Sequence, residues 1–209
     1  MGQTMSKTII VLLGSILSAT PLWAEEAANT DPKPLPEITL GKDSAPVTMI
    51  EYTSMTCPHC ADFHLNVLPE IQKKYVDKGE VKIIHRDYPG DGLSLKATQL
   101  AFCGGPQLHQ KMVTTFFQTQ DRWMSAKDPE AELKKIACEN GLTKQQATSC
   151  LQNTELMDQI IHTRQEGQKK YNIAFTPTLI INGKVIPQGL TFEEFQGKVD
   201  PLLTKASAK

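Results

Sequence analysis

The sequence predicts an α/β fold in which a helical domain is inserted between two strand-and-helix halves. Three observations carry that expectation. Pro46 to Tyr52 is an apolar, β-branched run that stops just before Met55-Thr56-Cys57-Pro58-His59-Cys60, where a helical pattern begins, and a second β-rich run follows at Glu80 to Asp87. Strand, helix, strand in that order is a parallel crossover unit. From about Leu93 to Lys170 apolar residues return only at helical spacing, and a strand pattern resumes at Ile173 to Ile181 before Asn182-Gly183 and a last helix.

Taken in order, residues 1–24 stand apart from the fold. Lys7 precedes the short apolar run Thr8 to Leu17, and Pro21-Leu22-Trp23-Ala24 leads into Glu25-Glu26, the layout of a secretory signal cleaved after Ala24. Met5 is an alternative start. An uncleaved anchor is the competing reading, but the run is short for a membrane span, and the missing cysteine at the cleavage point argues against a lipoprotein. Export would place the chain where its five cysteines are expected to oxidise. Residues 25–36, rich in Ala, Glu, Asn, Asp and Pro, read as a flexible tether.

The first half is expected over 37–92. Glu37-Ile38-Thr39-Leu40 reads as a strand before the Gly41-Lys42-Asp43-Ser44 turn. After the cysteines, Phe63, Val67, Leu68, Ile71 and Tyr75 fall on one helical face, with a kink at Pro69. Asp77-Lys78-Gly79 makes a turn, and Pro89-Gly90 ends the strand that follows.

The insert is expected over 93–170. Leu93, Ala97, Leu100 and Ala101 line one helix; after Gly104-Gly105-Pro106, Leu108, Met112, Val113, Phe116 and Phe117 line another. Asp128-Pro129 starts a helix bearing Leu133, Ile136 and Ala137, and Gly141 stops it. Thr143 with Gln146 makes a capping box for a helix carrying Ala147, Cys150 and Leu151. Leu156, Ile160, Ile161 and Arg164 mark the last one. In the second half, 171–205, Asn182-Gly183 is a hairpin signal, and Thr191 with Glu194 caps a helix striped by Phe192, Phe195, Val199 and Leu202.

The 209 residues, 22 Lys+Arg against 23 Asp+Glu and 40% hydrophobic content fit one soluble domain. Near-zero net charge argues against nucleic acid or an anionic membrane surface as the main partner. There is no internal repeat and no glycine-rich phosphate loop.

The chemistry sits at Cys57 and Cys60. Pro58 fits the first helical position, where a missing N–H costs nothing, so Cys57 can be the capping residue. The unpaired amides of the first turn and the positive helix end then favour its thiolate. His59 adds to the effect, and Cys60, one turn in, is more covered; Cys57 is expected to attack and Cys60 to resolve. Because only the reduced form carries the stabilised anion, such surroundings make the disulfide an oxidant. Each pKa unit is worth roughly 1.4 kcal/mol, or roughly 30 mV for this two-electron couple.

Blander readings compete. His64 could join the two cysteines in a metal site, but a fourth ligand is missing, and no His follows Cys60 to make a haem signature. Glu51 could be a solvent-facing strand carboxylate. His64, His85, His109 and His162 read as ordinary surface or half-buried histidines. Cys103, Cys138 and Cys150 allow three pairings with one thiol left over, or are all reduced core residues.

Strand, C-x-x-C at a helix start, strand, then Thr-Pro before a hairpin and a final helix is the thioredoxin order. With the helical insertion and the dipeptide Pro58-His59, the chain resembles the DsbA family of bacterial periplasmic thiol:disulfide oxidases from about Ile38 to Leu203. Ala45 to Cys60 and Phe175-Thr176-Pro177-Thr178 are the most specific parts. The resemblance implies a thioredoxin-like fold with Cys57 as exposed nucleophile, His59 as its stabiliser and Cys60 as resolving thiol. It implies that Pro177 is a cis-proline packed against the active pair, that Thr176 offers backbone groups to an extended substrate, and that Glu51 is the buried acid beneath the site. Thr176 stands where the best-known members carry valine, a departure that bears on substrate preference and potential. Related proteins with a second bridge tend to join the first helix of the insert to the helix of Cys150. That favours a structural Cys103-Cys150 disulfide, with Cys138-Cys150 the runner-up.

The expected function is a periplasmic thiol:disulfide oxidoreductase that donates its Cys57-Cys60 disulfide to newly exported proteins. The bridge is its own redox centre, with no metal and no other cofactor. Expected partners are unfolded exported proteins with free thiols and a membrane quinone-linked reoxidase of the DsbB kind, with no nucleic acid, the protein itself being a monomer. An isomerase or reductase of the same fold is the alternative, ahead of a metal-binding or secreted binding module.

Overall fold

Five strands form the centre of the fold in a computed structural model that describes residues 1–2 and 32–207. The fold is that of the unit beginning at residue 31. The expected cleavage site after Ala24 lies outside the described residues, as does the tether up to residue 31; residues 32–37 have no regular structure. Strands β1 (Ile38–Leu40), β2 (Val47–Thr53), β3 (Val81–Asp87), β4 (Thr178–Ile181) and β5 (Lys184–Ile186) lie in the order β1-β3-β2-β4-β5. Only β2 and β3 run parallel; the other neighbours are antiparallel.

The apolar run of β2 takes a central place because burial on both faces rewards a continuous hydrophobic strand. Side chains alternate across a strand, so Val47, Met49, Glu51 and Thr53 share one face with Val81, Ile83, His85 and Asp87 of β3. That face begins apolar and ends polar, and the polar end is the one nearest Cys57.

The cysteine helix runs from residue 58 to 76 but is not uniform. α1 (Pro58–Asp62) passes through a π-helical turn (Phe63–Val67) into α2 (Leu68–Ile71), and a second π-turn (Gln72–Val76) ends it. Pro69 has no N–H for the carbonyl four residues back and its ring would collide with that group. The kink expected there takes the form of a widened turn, in which the Leu68 N–H reaches the Phe63 carbonyl. Phe63, Leu68, Ile71 and Tyr75 are buried against β2 and β3.

Between β3 and β4 lie α3 (Gly92–Cys103), α4 (Gly105–Gln118), α5 (Gln120–Met124), α6 (Pro129–Glu139), α7 (Lys144–Leu151) and α8 (Thr154–Tyr171). Four of their starts are fixed by side chains: Asp91 accepts from the Ser94 N–H, Asp128 from Ala131 and Asn153 from Leu156, and Thr143 and Gln146 form the capping box read from the sequence. Leu100, Met112, Phe116, Trp123, Leu133 and Ile136 are buried in one core that continues into Met55 and Cys60. The helices therefore hold the reactive turn from one side. On the other face of the sheet, α8 brings Gly167 onto the Tyr52 ring, and Arg164 lies over Tyr88 at 4.8 Å.

The strand expected from Ile173 starts only at Thr178. Thr176-Pro177 is a cis bond, and a proline has no N–H to give a ladder. Asn182 and Gly183 have φ of 45° and 82°, the left-handed pair that a two-residue hairpin needs. α9 (Phe192–Ser207) closes the fold, its start fixed by the Glu194 N–H to Thr191 at 3.2 Å and the Thr191 N–H to Glu194 at 2.9 Å.

Candidate active site

β2 ends at Thr53, and three residues carry the chain to Cys57, the N-cap of α1, in extended conformation with Pro58 following. That turn is tied down from the helical side. The Met55 N–H donates to Ser94 Oγ at 3.0 Å, and the Thr56 hydroxyl donates to Asp91 Oδ2 at 2.6 Å. Gln120 Nε2 donates to the carbonyls of both Met55 and Cys57, at 2.8 and 3.1 Å. Asp91 carries a sequence signal, since an aspartate just before a helical run is a favoured N-cap; Ser94 carries none. Gln120 carries none; it follows a helix that ends at 118 and holds a loop more than sixty positions upstream.

Cys57 is half-buried and Cys60 fully buried, and neither is bridged. The hydrogen bond from the Cys60 thiol is the strongest influence on Cys57; with the Thr176 hydroxyl and the amides of Cys60 and His59 it outweighs partial burial and brings Cys57 down to about 5. Burial pushes Cys60 far up, and its bond to Cys57 pushes it further. The two sulfurs are thus made unlike: one is an anion at neutral pH, and the other keeps its proton.

The helix amides act as expected, but they rank behind the second thiol. His59 bears on Cys57 through its backbone N–H, while its ring is exposed. Pro58 is exposed at the first helical position. Across from them, the cis bond before Pro177 places the Thr176 carbonyl 3.2 Å from the Cys57 sulfur, where the thiol donates to it. His59, Phe63, Phe175, Thr176, Pro177 and Leu190 line part of a cleft of about 700 Å³ beside the sulfur. Phe175 stands 69% exposed at its edge.

Glu51 is fully buried, which removes the reading of it as a solvent-facing carboxylate, and its Oε2 lies 3.4 Å from His85 Nδ1. The expectation of ordinary histidines is corrected at two positions. His109 is fully buried with Nε2 3.1 Å from Asp87 Oδ2, and His85 sits between Glu51 and Asp87. Their strand and helix patterns look unremarkable because the partners lie 22 and 34 positions away. Farther off, a disulfide joins Cys103 at the end of α3 to Cys150 in α7, with Cα atoms 5.9 Å apart, and Cys138 is a half-buried thiol.

Residues 34–201 match the family model described as Thioredoxin. Among solved structures, Wolbachia pipientis alpha-DsbA1 superimposes with a TM-score of 0.76 at 30% identity, over 84% of this chain and 95% of that one. BdbD of Bacillus subtilis gives a TM-score of 0.71 at 26% identity, over 80% and 93%. Among curated proteins, disulfide bond formation protein D of Bacillus subtilis is 27% identical over 84% of this chain and 81% of its own length. A provisionally named protein-disulfide oxidoreductase of Rickettsia bellii is 25% identical over 83% of this chain. The chain spans between 53% and 67% of the length of the rickettsial relatives it matches.

Proposed function

The chain belongs to the thioredoxin family, in its DsbA branch, and on that premise we propose that it is a thiol:disulfide oxidoreductase passing a Cys57-Cys60 disulfide to exported proteins. The observation that carries this reading is the opposed pull on the two sulfurs, Cys57 brought down to about 5 and Cys60 pushed up. A thiolate favoured in the reduced form leaves the disulfide as the state that is readily given away.

In the oxidising half, a substrate thiolate attacks Cys57 of the disulfide. The Cys57-Cys60 bond breaks, its electron pair goes to Cys60, and Cys60 takes up a proton. A second thiolate of the substrate then attacks the mixed disulfide at the substrate sulfur, and Cys57 leaves as the anion its surroundings favour. Substrate loses two electrons and the protein gains them. The resolving role expected of Cys60 therefore belongs to the return half: Cys57 attacks a disulfide of the reoxidant, and Cys60 expels that partner and closes the bridge. Pairing of an extended substrate with the Thr176 backbone, in the cleft edged by Phe175, would hold the incoming sulfur in line.

Within this reading the protein works in the periplasm after signal cleavage, as a monomer, with a membrane quinone-linked reoxidase of the DsbB kind. The deciding experiment is the equilibrium potential of the pair against glutathione. A potential well above that of glutathione supports an oxidase, and a strongly reducing one overturns it. Finding the pair mostly as dithiol in the cell would assign an isomerase or reductase instead.

A further inference from the structure

A polar atom shut inside a fold without a partner costs free energy until something supplies one. Four such atoms belong to residues around a single cleft: Glu51 Oε1, His64 Nδ1, His85 Nε2 and His109 Nδ1. They converge from four elements, Glu51 from β2, His85 from β3, His109 from α4 and His64 from the first π-turn. The polar floor they make is compact. Glu51 Oε2 lies 3.4 Å from His85 Nδ1, and the His85 ring centroid is 6.3 Å from that of His64 and 5.6 Å from that of His109. Glu51 and His109 are fully buried.

The cleft holds about 290 Å³ and reaches the exposed Gln72 and Gln118, which puts it at the small end of the range for ligand sites. Its walls are apolar: Leu65 and Leu68 of the cysteine helix, Ile83 of β3 and Val113 of α4. Water needs only polar partners, whereas a polar floor under apolar walls is the make-up of a ligand site. Among the described residues, this cleft and the one beside Cys57 have no lining residue in common.

The orphaned atoms decide the kind of ligand. The Thr114 hydroxyl gives its one proton to the Gln110 carbonyl at 3.0 Å, so toward His64 Nε2, 2.9 Å away, it can only accept. His64 therefore carries its proton on Nε2, and its Nδ1 is a bare acceptor. Burial brings His64 down to about 4, which keeps the ring neutral. Glu51 Oε1 is a second bare acceptor, the other oxygen being turned to His85. Burial would lower His85, but Asp87 and Glu51 outweigh it and raise it to about 10; its Nε2 proton is drawn toward Asp87 Oδ1, 3.9 Å away. Two acceptors, one of them a carboxylate oxygen, are thus left facing a cleft with no lysine or arginine among its described lining residues.

We propose that this cleft is a binding site for a small organic cation, an amidinium or primary ammonium group on a compact apolar body. Its N–H groups donate to Glu51 and His64, and its body lies against Leu65, Leu68 and Val113. The proposal goes beyond the oxidoreductase reading and does not rest on it. The head group gives both acceptors charge-assisted donors, and the body takes apolar wall out of water. At about 30 Å³ for each water-sized volume, there is room for roughly ten non-hydrogen atoms, too few for a peptide or a nucleotide.

Benzamidine is the probe, with benzamide as its uncharged counterpart of the same shape and benzoate as the anion. Calorimetric titration of the full chain should show benzamidine saturating one site at or below about 1 mM. It should bind about ten- to a hundredfold more tightly than benzamide, the worth of a hydrogen bond to a charged group, and benzoate should not bind. Glu51→Gln should remove that margin. A second measurement needs no variant to fold: in the unaltered protein, nuclear Overhauser contacts should run from the benzamidine ring to the methyl groups of Leu65, Leu68 and Val113. Lack of saturation, equal affinity for benzamide, undiminished binding to folded Glu51→Gln, or contacts to Phe175 and Leu190 beside Cys57 would each overturn the site. None of these outcomes depends on turnover, so failure of the redox reading would leave the result standing.

Discussion

Cys57 and Cys60 are the same side chain three positions apart, and what surrounds them moves their proton affinities in opposite directions. Three kinds of donor reach Cys57, namely a thiol, a hydroxyl and backbone amides, and the hydroxyl is the one a substitution can remove cleanly. Thr176→Val should raise the midpoint of thiolate absorbance by about one unit, since a hydrogen bond to a charged group is worth about 1.5–3 kcal/mol and part of that is screened at a half-exposed sulfur. An unshifted midpoint would assign the depression to the thiol and the amides alone. The pH dependence of stability has a definite sign. Cys57 falls from the ordinary 9.0 to about 5 in the fold, so the thiolate's contribution to the reduced protein is complete above pH 9 and is lost as pH falls through 5. The disulfide form has no such group. The gap in melting temperature between reduced and oxidised protein should therefore shift toward the oxidised form as pH is lowered across that window, and scanning calorimetry of both forms checks it.

At the scale of elements, contacts between helices and sheet decide what the site can tolerate. A Cβ on Gly167 of α8 would lie 2.6 Å from Tyr52 Cε1. Gly167→Ala gains at most about 1 kcal/mol of helix propensity but overpacks a sheet contact at about 1–3 kcal/mol. Net destabilisation in urea is expected, and a more stable variant would show that Tyr52 yields freely. Gln120→Leu leaves the carbonyls of Met55 and Cys57 without their donor and should cost about 1–3 kcal/mol by the same measurement, with the turn before Cys57 more open to hydrogen exchange. The contrast between these elements explains how much of the fold the sequence made legible. β2, the cap at Cys57, the capping boxes at Thr143 and Thr191 and the Asn182-Gly183 turn are written in neighbouring residues, and neighbouring residues are what a pattern reads. Gln120, the histidines around Asp87 and the Gly167 contact join positions tens or more than a hundred residues apart, and no local spacing records them. α5 was illegible for a related reason: its five residues are too few for a period to repeat. The candidate redox pair was legible from its motif, whereas the ranking of the donors around it was not, because that depends on where the second sulfur lies.

For the molecule as a whole, the Cys103-Cys150 bridge closes a 47-residue separation that contains α4, α5 and α6. Chain-entropy arguments give roughly 4 kcal/mol for a loop of that size. Replacing both cysteines with alanine should lower unfolding stability by about 2–4 kcal/mol while leaving the Cys57 thiolate titration in place, because the bridge does not touch the pair. A shifted titration would mean that the insert tunes the site and does not merely enclose it. The outermost strands carry a further consequence. β1 and β5 are three residues each; Gln110 of α4 donates to the Thr39 carbonyl of β1 at 3.5 Å, and β5 exposes Lys184. Under the proposed function the protein would work among half-made chains hungry for a backbone to zip onto, and edges this short would offer them almost no free margin, so a client could lend it a sulfur without adding itself to the sheet.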